Sequence, residues 1–326
     1  MKLFVRELFM LSETGTSSPI NRVSYFALTL LGLYLSVYQS VIDDIAADYQ
    51  LSPAGKGLMI SFHFLGAFLL PLILGEAGDR LGTRPVLRLA FLLMIGGLVL
   101  IIVSHAPYLF LIGTLLVGGG FAVIEGMLSG LLAIANPERV NSVMNLSQMY
   151  FCLGAVGGPF MAYGLKWIGA GWQVNYGLIL ILLILSLILF NRLILPAYRT
   201  APLKGLYLKR ILKDPVFILL LLAIFIYVGI EEGTAFWVSS YIQETMTSSV
   251  PGLFFISVYW LGMACGRWVF QYLRQSYHRW LLVGLTGAAI FMCFFLMTHQ
   301  ITWILIFLFL VGAGFAPSWP VLIMTA

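Results

Sequence analysis

Gly75–Arg88, GEAGDRLGTRPVLR, sits between two long apolar segments and decides how the rest of the chain is read. It holds two acids, Glu76 and Asp79, three arginines, Arg80, Arg84 and Arg88, a proline, and glycines at 75, 78 and 82. Gly78 and Gly82 permit a tight turn. Asp79 can accept hydrogen bonds from helix N-terminal amides or pair with a base. Arg80 and Arg84 can meet acids or helix C-termini across one membrane face. A charged hairpin of this kind between membrane-length helices points to a latch in a carrier whose two halves rock. Arginine excess alone would fit a solvated basic loop. The spacing Gly75, Asp79, Arg80, Gly82, Arg84 does not.

Composition supports a bilayer setting. Hydrophobic residues make up 61% of the 326 and charged residues 10%, against roughly half and a quarter in soluble domains. That much apolar surface needs lipid as its solvent. A spanning helix takes about 20 mostly apolar residues. Ten such segments are read, near 22–42, 55–75, 86–104, 107–132, 141–165, 172–195, 215–241, 251–273, 279–298 and 301–325. The expected organisation is a six-helix bundle over 1–195, a basic linker over 196–214, and four helices over 215–326. The chain stops at Ala326 within an apolar segment, which predicts a fragment lacking two further helices.

Alternate loops carry the basic residues. Of 18 Lys and Arg, all but Lys56 and Lys166 fall on the N-terminal side, including Arg267, Arg274 and Arg279 in the loop after the eighth helix. The positive-inside rule makes that side cytoplasmic. The net charge of +5 then reflects topology, and no nucleic-acid partner is expected. Cys152, Cys265 and Cys293 lie in apolar segments and read as packing residues. No metal cluster, cofactor or phosphate-binding loop is recognisable, so neither an enzyme nor an ATP-driven pump is expected.

Polar residues inside apolar segments mark the site. Glu125 lies midway along the fourth helix, flanked by Gly118, Gly119, Gly120 and Gly126, which allow close approach. An ionised carboxylate there costs upward of about 2.5 kcal/mol, so it needs a cavity, a partner or a proton. Glu231 and Glu232 are adjacent on the seventh helix and point about 100° apart. One should face the pathway and the other a neighbouring helix; Glu231 is favoured for the pathway. Trp237, further along, could stack on the apolar face of a sugar. Gln39, Asn145 and Gln148 could bond hydroxyls, with Asn145 and Gln148 on one face. His63 reads as an interhelical hydrogen-bonding histidine. Pro317 and Pro320 break the tenth helix and suggest a hinge.

The loop of Gly75, Asp79, Arg80, Gly82 and Arg84 resembles the signature between helices 2 and 3 of the major facilitator superfamily, with Thr83 where a basic residue is usual. Glu125 with its glycines, NLSQMYFCLGAVGGP (145–159), YVGIEEGTAFWVSSY (227–241) and the late Trp-Pro resemble the fucose:proton symporter family. The resemblance covers essentially the whole chain. It implies an all-α, polytopic transmembrane bundle of twelve helices, about ten of them here, working as a monomer in the cell membrane, of bacterial inner-membrane type. It implies a central sugar site and coupling through membrane carboxylates, with Glu125 and Gln148 on the family's helix 4 acid and helix 5 glutamine. Two positions depart. The family's helix 1 aspartate is Gln39 here, and no Asn-Pro follows Glu125. Glu231 or Glu232 is then expected to carry the proton. The expected activity is secondary transport of a small polar, sugar-like solute with protons. Alternatives are a proton-driven drug or metabolite exporter, and a non-transporting remnant or receptor.

Overall fold

The structure is a computed structural model. It describes residues 18–195, 213–246, 250–272 and 277–325, with the side chains at 76–80, 277–278 and 323–325 outside the description. Most of the linker, residues 196–212, also lies outside the described residues.

The described chain is helical. In order come α1 (Pro19–Asp48), α2 (Pro53–Leu81), α3 (Thr83–Val103), α4 (Pro107–Ala135), a 3₁₀ turn (Pro137–Arg139), α5 (Val140–Trp167) and α6 (Trp172–Asn191). Then follow α7 (Pro215–Thr245), α8 (Leu253–Phe270), α9 (Tyr277–Met297), α10 (Ile301–Phe315) and α11 (Ser318–Thr325). Four helices open on proline, whose missing N–H costs nothing at a first turn. Asp214 caps α7 by accepting from the Val216 amide at 2.9 Å.

The ten expected segments are all present as helices, and the last is broken at Ala316–Pro317 into α10 and α11. Among the described residues nine stretches are long and apolar enough to span a membrane. The 28-residue α5 is long enough but not among them. Asn141, Asn145, Ser147 and Gln148 in its first third lower its hydropathy, and one of these reaches the central site described below.

The fingerprint hairpin is tighter than expected. α2 continues to Leu81 and α3 begins at Thr83. Gly82 alone joins them, at φ +88° and ψ 163°, a conformation that disfavours side chains. Gly78 lies inside α2, so it is not a turn residue.

α1 packs on α5 and α6, α2 on α4, and α3 on α4 and α6. Among the later helices, α8 packs on α10 and α10 on α9. The two groups meet where α5 lies on α8 and α1 on α7. Close crossings rest on glycine. A Cβ on Gly32 would sit 1.9 Å from the Phe151 carbonyl oxygen, and one on Gly154 1.8 Å from that of Thr29. Backbones this close gain dispersion contacts that lipid cannot replace.

Two crossings are copies of each other. In α2–α4, Gly118 lies against the His63 carbonyl and Gly66 against that of Leu115. In α8–α10, Gly312 lies against the Tyr259 carbonyl and Gly262 against that of Phe309. The sequences agree: LVGGGFA at 116–122 and LVGAGFA at 310–316. The third helix of each set follows suit, with Gly120 on Ala90 and Met94, and Gly314 on Gly284 and Ala288.

Candidate functional site

Five of the expected residues meet in a buried layer between the two groups of helices. Gln39 on α1 donates Nε2–H to Glu232 Oε2 on α7 at 3.0 Å. Its Oε1 accepts from the Trp260 indole N–H on α8 at 2.9 Å. An indole can only donate, so Trp260 fixes the amide with its NH₂ toward Glu232. Gln148 on α5 donates to Glu125 Oε1 on α4 at 3.3 Å.

Arg267 on α8 ties this layer together. It is 2% exposed. Its Nη2 lies 3.4 Å from Glu231 Oε1. Its Nη1 donates to the Gln148 carbonyl at 3.2 Å and to Cys152 Sγ at 2.8 Å. Tyr259 OH donates to the Glu231 carbonyl at 3.2 Å. Cys152 is therefore part of this layer and not only packing.

The two acids of α7 take different partners. Glu231 faces the helix partner, α8, and Glu232 reaches across to α1. Both are buried, at 5% and 7% exposure. Their angular separation on the helix accounts for the split.

Asn145 and Trp237 do not join the layer. Asn145 Nδ2 donates to the Asn141 carbonyl one turn back, at 2.9 Å. Trp237 is 40% exposed near the end of α7, and Lys56 Nζ sits 4.4 Å from its ring centroid. The ring face expected to stack on a solute is occupied by a cation. His63 makes one interhelical bond, with Nδ1 3.3 Å from Tyr34 OH, and among the described residues its buried Nε2 has no partner.

At the N-terminal face, Arg84 donates to the Leu193 carbonyl just past α6. Arg88 Nε donates to Asn191 Oδ1 at 2.6 Å. Both contacts hold α3 to the C-terminus of α6, within the first six helices. Gly75 is exposed, and a Cβ there would meet nothing within 4 Å. The Asp79 and Arg80 side chains lie outside the description.

A profile of the Major Facilitator Superfamily matches residues 24–326. The chain belongs to that superfamily. It is a non-enzymatic, multi-pass membrane transporter. It is 26% identical over 286 residues to the 2-nitroimidazole transporter of Escherichia coli K12, covering 84% of this chain and 71% of that one. Its fold is similar to that of the E. coli fucose:proton symporter, with TM-score 0.68, 19% identity, and 92% and 83% of the two chains covered. It is also similar to the E. coli xylose transporter, with TM-score 0.73, 16% identity, and 93% and 82% covered.

Sequence reasoning placed Arg267 in a basic loop of this transporter, and the structure puts it inside α8. A signal was present. Arg267 follows fourteen uncharged residues, LFFISVYWLGMACG, counted from Leu253. It is the fifteenth residue of α8, and Glu231 is the fifteenth from the end of α7. The two antiparallel helices therefore bring them to one depth, where a buried guanidinium requires an acid. Trp260 carried no comparable signal, because an indole in an apolar run reads first as packing.

Proposed function

We propose that this transporter moves a small polar solute, sugar-like in its hydroxyl content, together with protons by alternating access. The N-terminus lies in the cytoplasm, and α1–α6 rock against the helices from α7 onward. The observation that carries the reading is a charge imbalance. Three carboxylates share the buried layer with one cation, and Arg267 is engaged with Glu231. Among the described residues, Glu125 and Glu232, one on each side, have the neutral amides of Gln148 and Gln39 as their hydrogen-bond partners. A charged group at membrane depth costs about 2.5 kcal/mol or more. Protons taken up on Glu125 and Glu232 remove that cost, and their release on one face couples solute to gradient.

The amides supply the solute contacts. The Gln39–Glu232 hydrogen bond spans the two groups, so it must break when they separate. A solute hydroxyl can replace it by donating to Glu232 and accepting from Gln39. The likeness to sugar-transporter folds supports a sugar as the first class to test.

A second reading, a drug or metabolite exporter, is favoured by the likeness to the nitroimidazole transporter. The Phe151 and Trp260 rings, edge to face at 5.8 Å, offer an aromatic solute a surface.

Proteoliposomes containing a pH-sensitive dye, given a panel of neutral hexoses and pentoses and then 2-nitroimidazole, test both. Proton movement that depends on one sugar and disappears in Glu125→Gln and Glu232→Gln is the expected result. A response to the heterocycle alone selects the exporter. No proton movement with any solute that is nonetheless transported removes the coupling.

A further inference from the structure

Lys56 begins in the sequence as an unremarkable outer-loop base, yet it is 5% exposed. It sits in the first turn of α2 and reaches two other helices. Its ammonium donates to Asp43 Oδ1 on α1 at 2.5 Å and to Ser240 Oγ on α7 at 2.5 Å. Ser240 Oγ in turn donates to Asp43 Oδ2 at 3.0 Å. The Trp237 ring, also on α7, lies under the same ammonium. A cation with a carboxylate, a hydroxyl and a ring face has its valence filled.

All four residues lie at the face of the molecule that carries the α1–α2 turn. Other contacts between the two groups gather there too. Ser257 Oγ on α8 donates to the Val156 carbonyl on α5 at 2.9 Å. Phe254 packs on Phe160 and Tyr163 at 5.1 and 5.0 Å. Phe236 packs on Tyr38 at 5.3 Å. At the opposite face, the Arg84, Arg88 and Asn21–Asn136 contacts stay within the first six helices.

We propose that Lys56, with Asp43 on its own side and Ser240 and Trp237 on the other, is the latch that holds this face closed during transport. These are positioning residues that do not touch the solute, and the assignment rests on alternating access as proposed above. The asymmetry of the cluster suits a device that must open repeatedly. When α7 withdraws, Lys56 and Asp43 remain together because α1 and α2 belong to one group. No orphaned charge is created, and water takes the place of the Ser240 hydroxyl. The two hydrogen bonds of Ser240, one from the Lys56 ammonium and one to the Asp43 carboxylate, and the ring contact are lost, while the ion pair is kept. A buried ion pair split between the two groups would be far harder to open.

The test reads the open fraction of this face without any solute, so it stands or falls independently of what is carried. Ser257 is 4% exposed where α8 meets α5, and Ser257→Cys serves as a reporter. Full-length protein in lipid nanodiscs is labelled with a membrane-impermeant maleimide, and the background from native cysteines is subtracted using protein without the reporter. Lys56→Met is expected to raise the labelling rate about tenfold, and Lys56→Arg to leave it near the starting value. Ser240→Ala combined with Trp237→Leu removes only the α7 side and should match Lys56→Met. Adding Lys56→Met to that pair should change little further. Unchanged labelling in the Ser240→Ala/Trp237→Leu protein, eluting as a single folded species, overturns the latch even if Lys56→Met fails to fold.

Discussion

The α2–α4 and α8–α10 crossings share a scaffold and differ in what was added to it. In both, a glycine of L-V-G-x-G-F-A lies on a carbonyl one helix away, His63 in the first and Tyr259 in the second. Beyond the shared motif they diverge. After Ala122, α4 runs on unbroken to Glu125 and as far as Ala135. After Ala316, Pro317 stops α10, and Trp319 stands where the same offset from 125 falls. On the partner helices the offset that matches Gly66 to Gly262 sets Pro71 against Arg267. Repeated positions hold helices together. Functional groups stand where the repeat fails, since a carrier needs a strong frame and an unsymmetrical site.

The largest effect is expected where the copies differ most, at Arg267. Replacing it by Met leaves Glu231 buried without a cation and should cost about 3–5 kcal/mol. Adding Glu231→Gln should recover much of that loss, which thermal unfolding in detergent would read. If the single and double variants melt together, Arg267 is not the counter-charge of Glu231.

Glu125 comes next. Glu125→Gln keeps the shape and the Gln148 contact but cannot be ionised. The roughly 2.5 kcal/mol cost of a charge at depth corresponds to a 50- to 100-fold change. Gradient-driven accumulation should fall by about that factor, while solute exchange at equal pH persists. Accumulation at the original level would move coupling to Glu232 alone.

The shared glycines sharpen the comparison from the other side. A Cβ would lie 1.9 Å from a carbonyl oxygen at Gly118 and 2.1 Å at Gly312. Alanine at either should cost about 2 kcal/mol through overpacking, and by similar amounts in both. Gly126→Ala is the control. Nothing lies within 4 Å of a Cβ there, so relief of glycine's entropy cost should stabilise by about 0.5–1 kcal/mol. Unequal losses at Gly118 and Gly312 would mean that the two crossings are not mechanically equivalent.

Much of this was legible in advance because lipid simplifies the code. Length and apolarity located the helices, and interior polar residues located Gln39, Glu125, Gln148, Glu231 and Glu232. Errors arose where one residue type answers to two rules. Arg267 satisfied the positive-inside count by position while its depth assigned it to Glu231. Trp237 satisfied the pattern of a stacking residue while Lys56, far away in sequence, occupied its face. Lys56 itself looked like a loop residue because nothing local announces a partner on α7. The fingerprint showed its turn in Gly82, but its helical course through Gly78 depends on how α2 is held by α4. Contacts between distant helices decide all four cases, and no local pattern encodes them.

Pro317 carries the smallest effect and the most specific one. At the matching offset α4 has Val123, in continuous helix. Pro317→Ala restores an N–H to the broken segment and lets α10 continue into α11. Stability should change by less than about 1 kcal/mol, because the gain of one hydrogen bond is offset by lost rigidity of the chain. The Val321 amide, bonded at 3.1 Å to the Pro317 carbonyl, then lies inside a longer helix and should exchange hydrogen more slowly. If transport slows as exchange slows, the break acts as a hinge. If exchange slows while transport is untouched, the proline serves only to seat α11, whose contacts are with α5, α7 and α9.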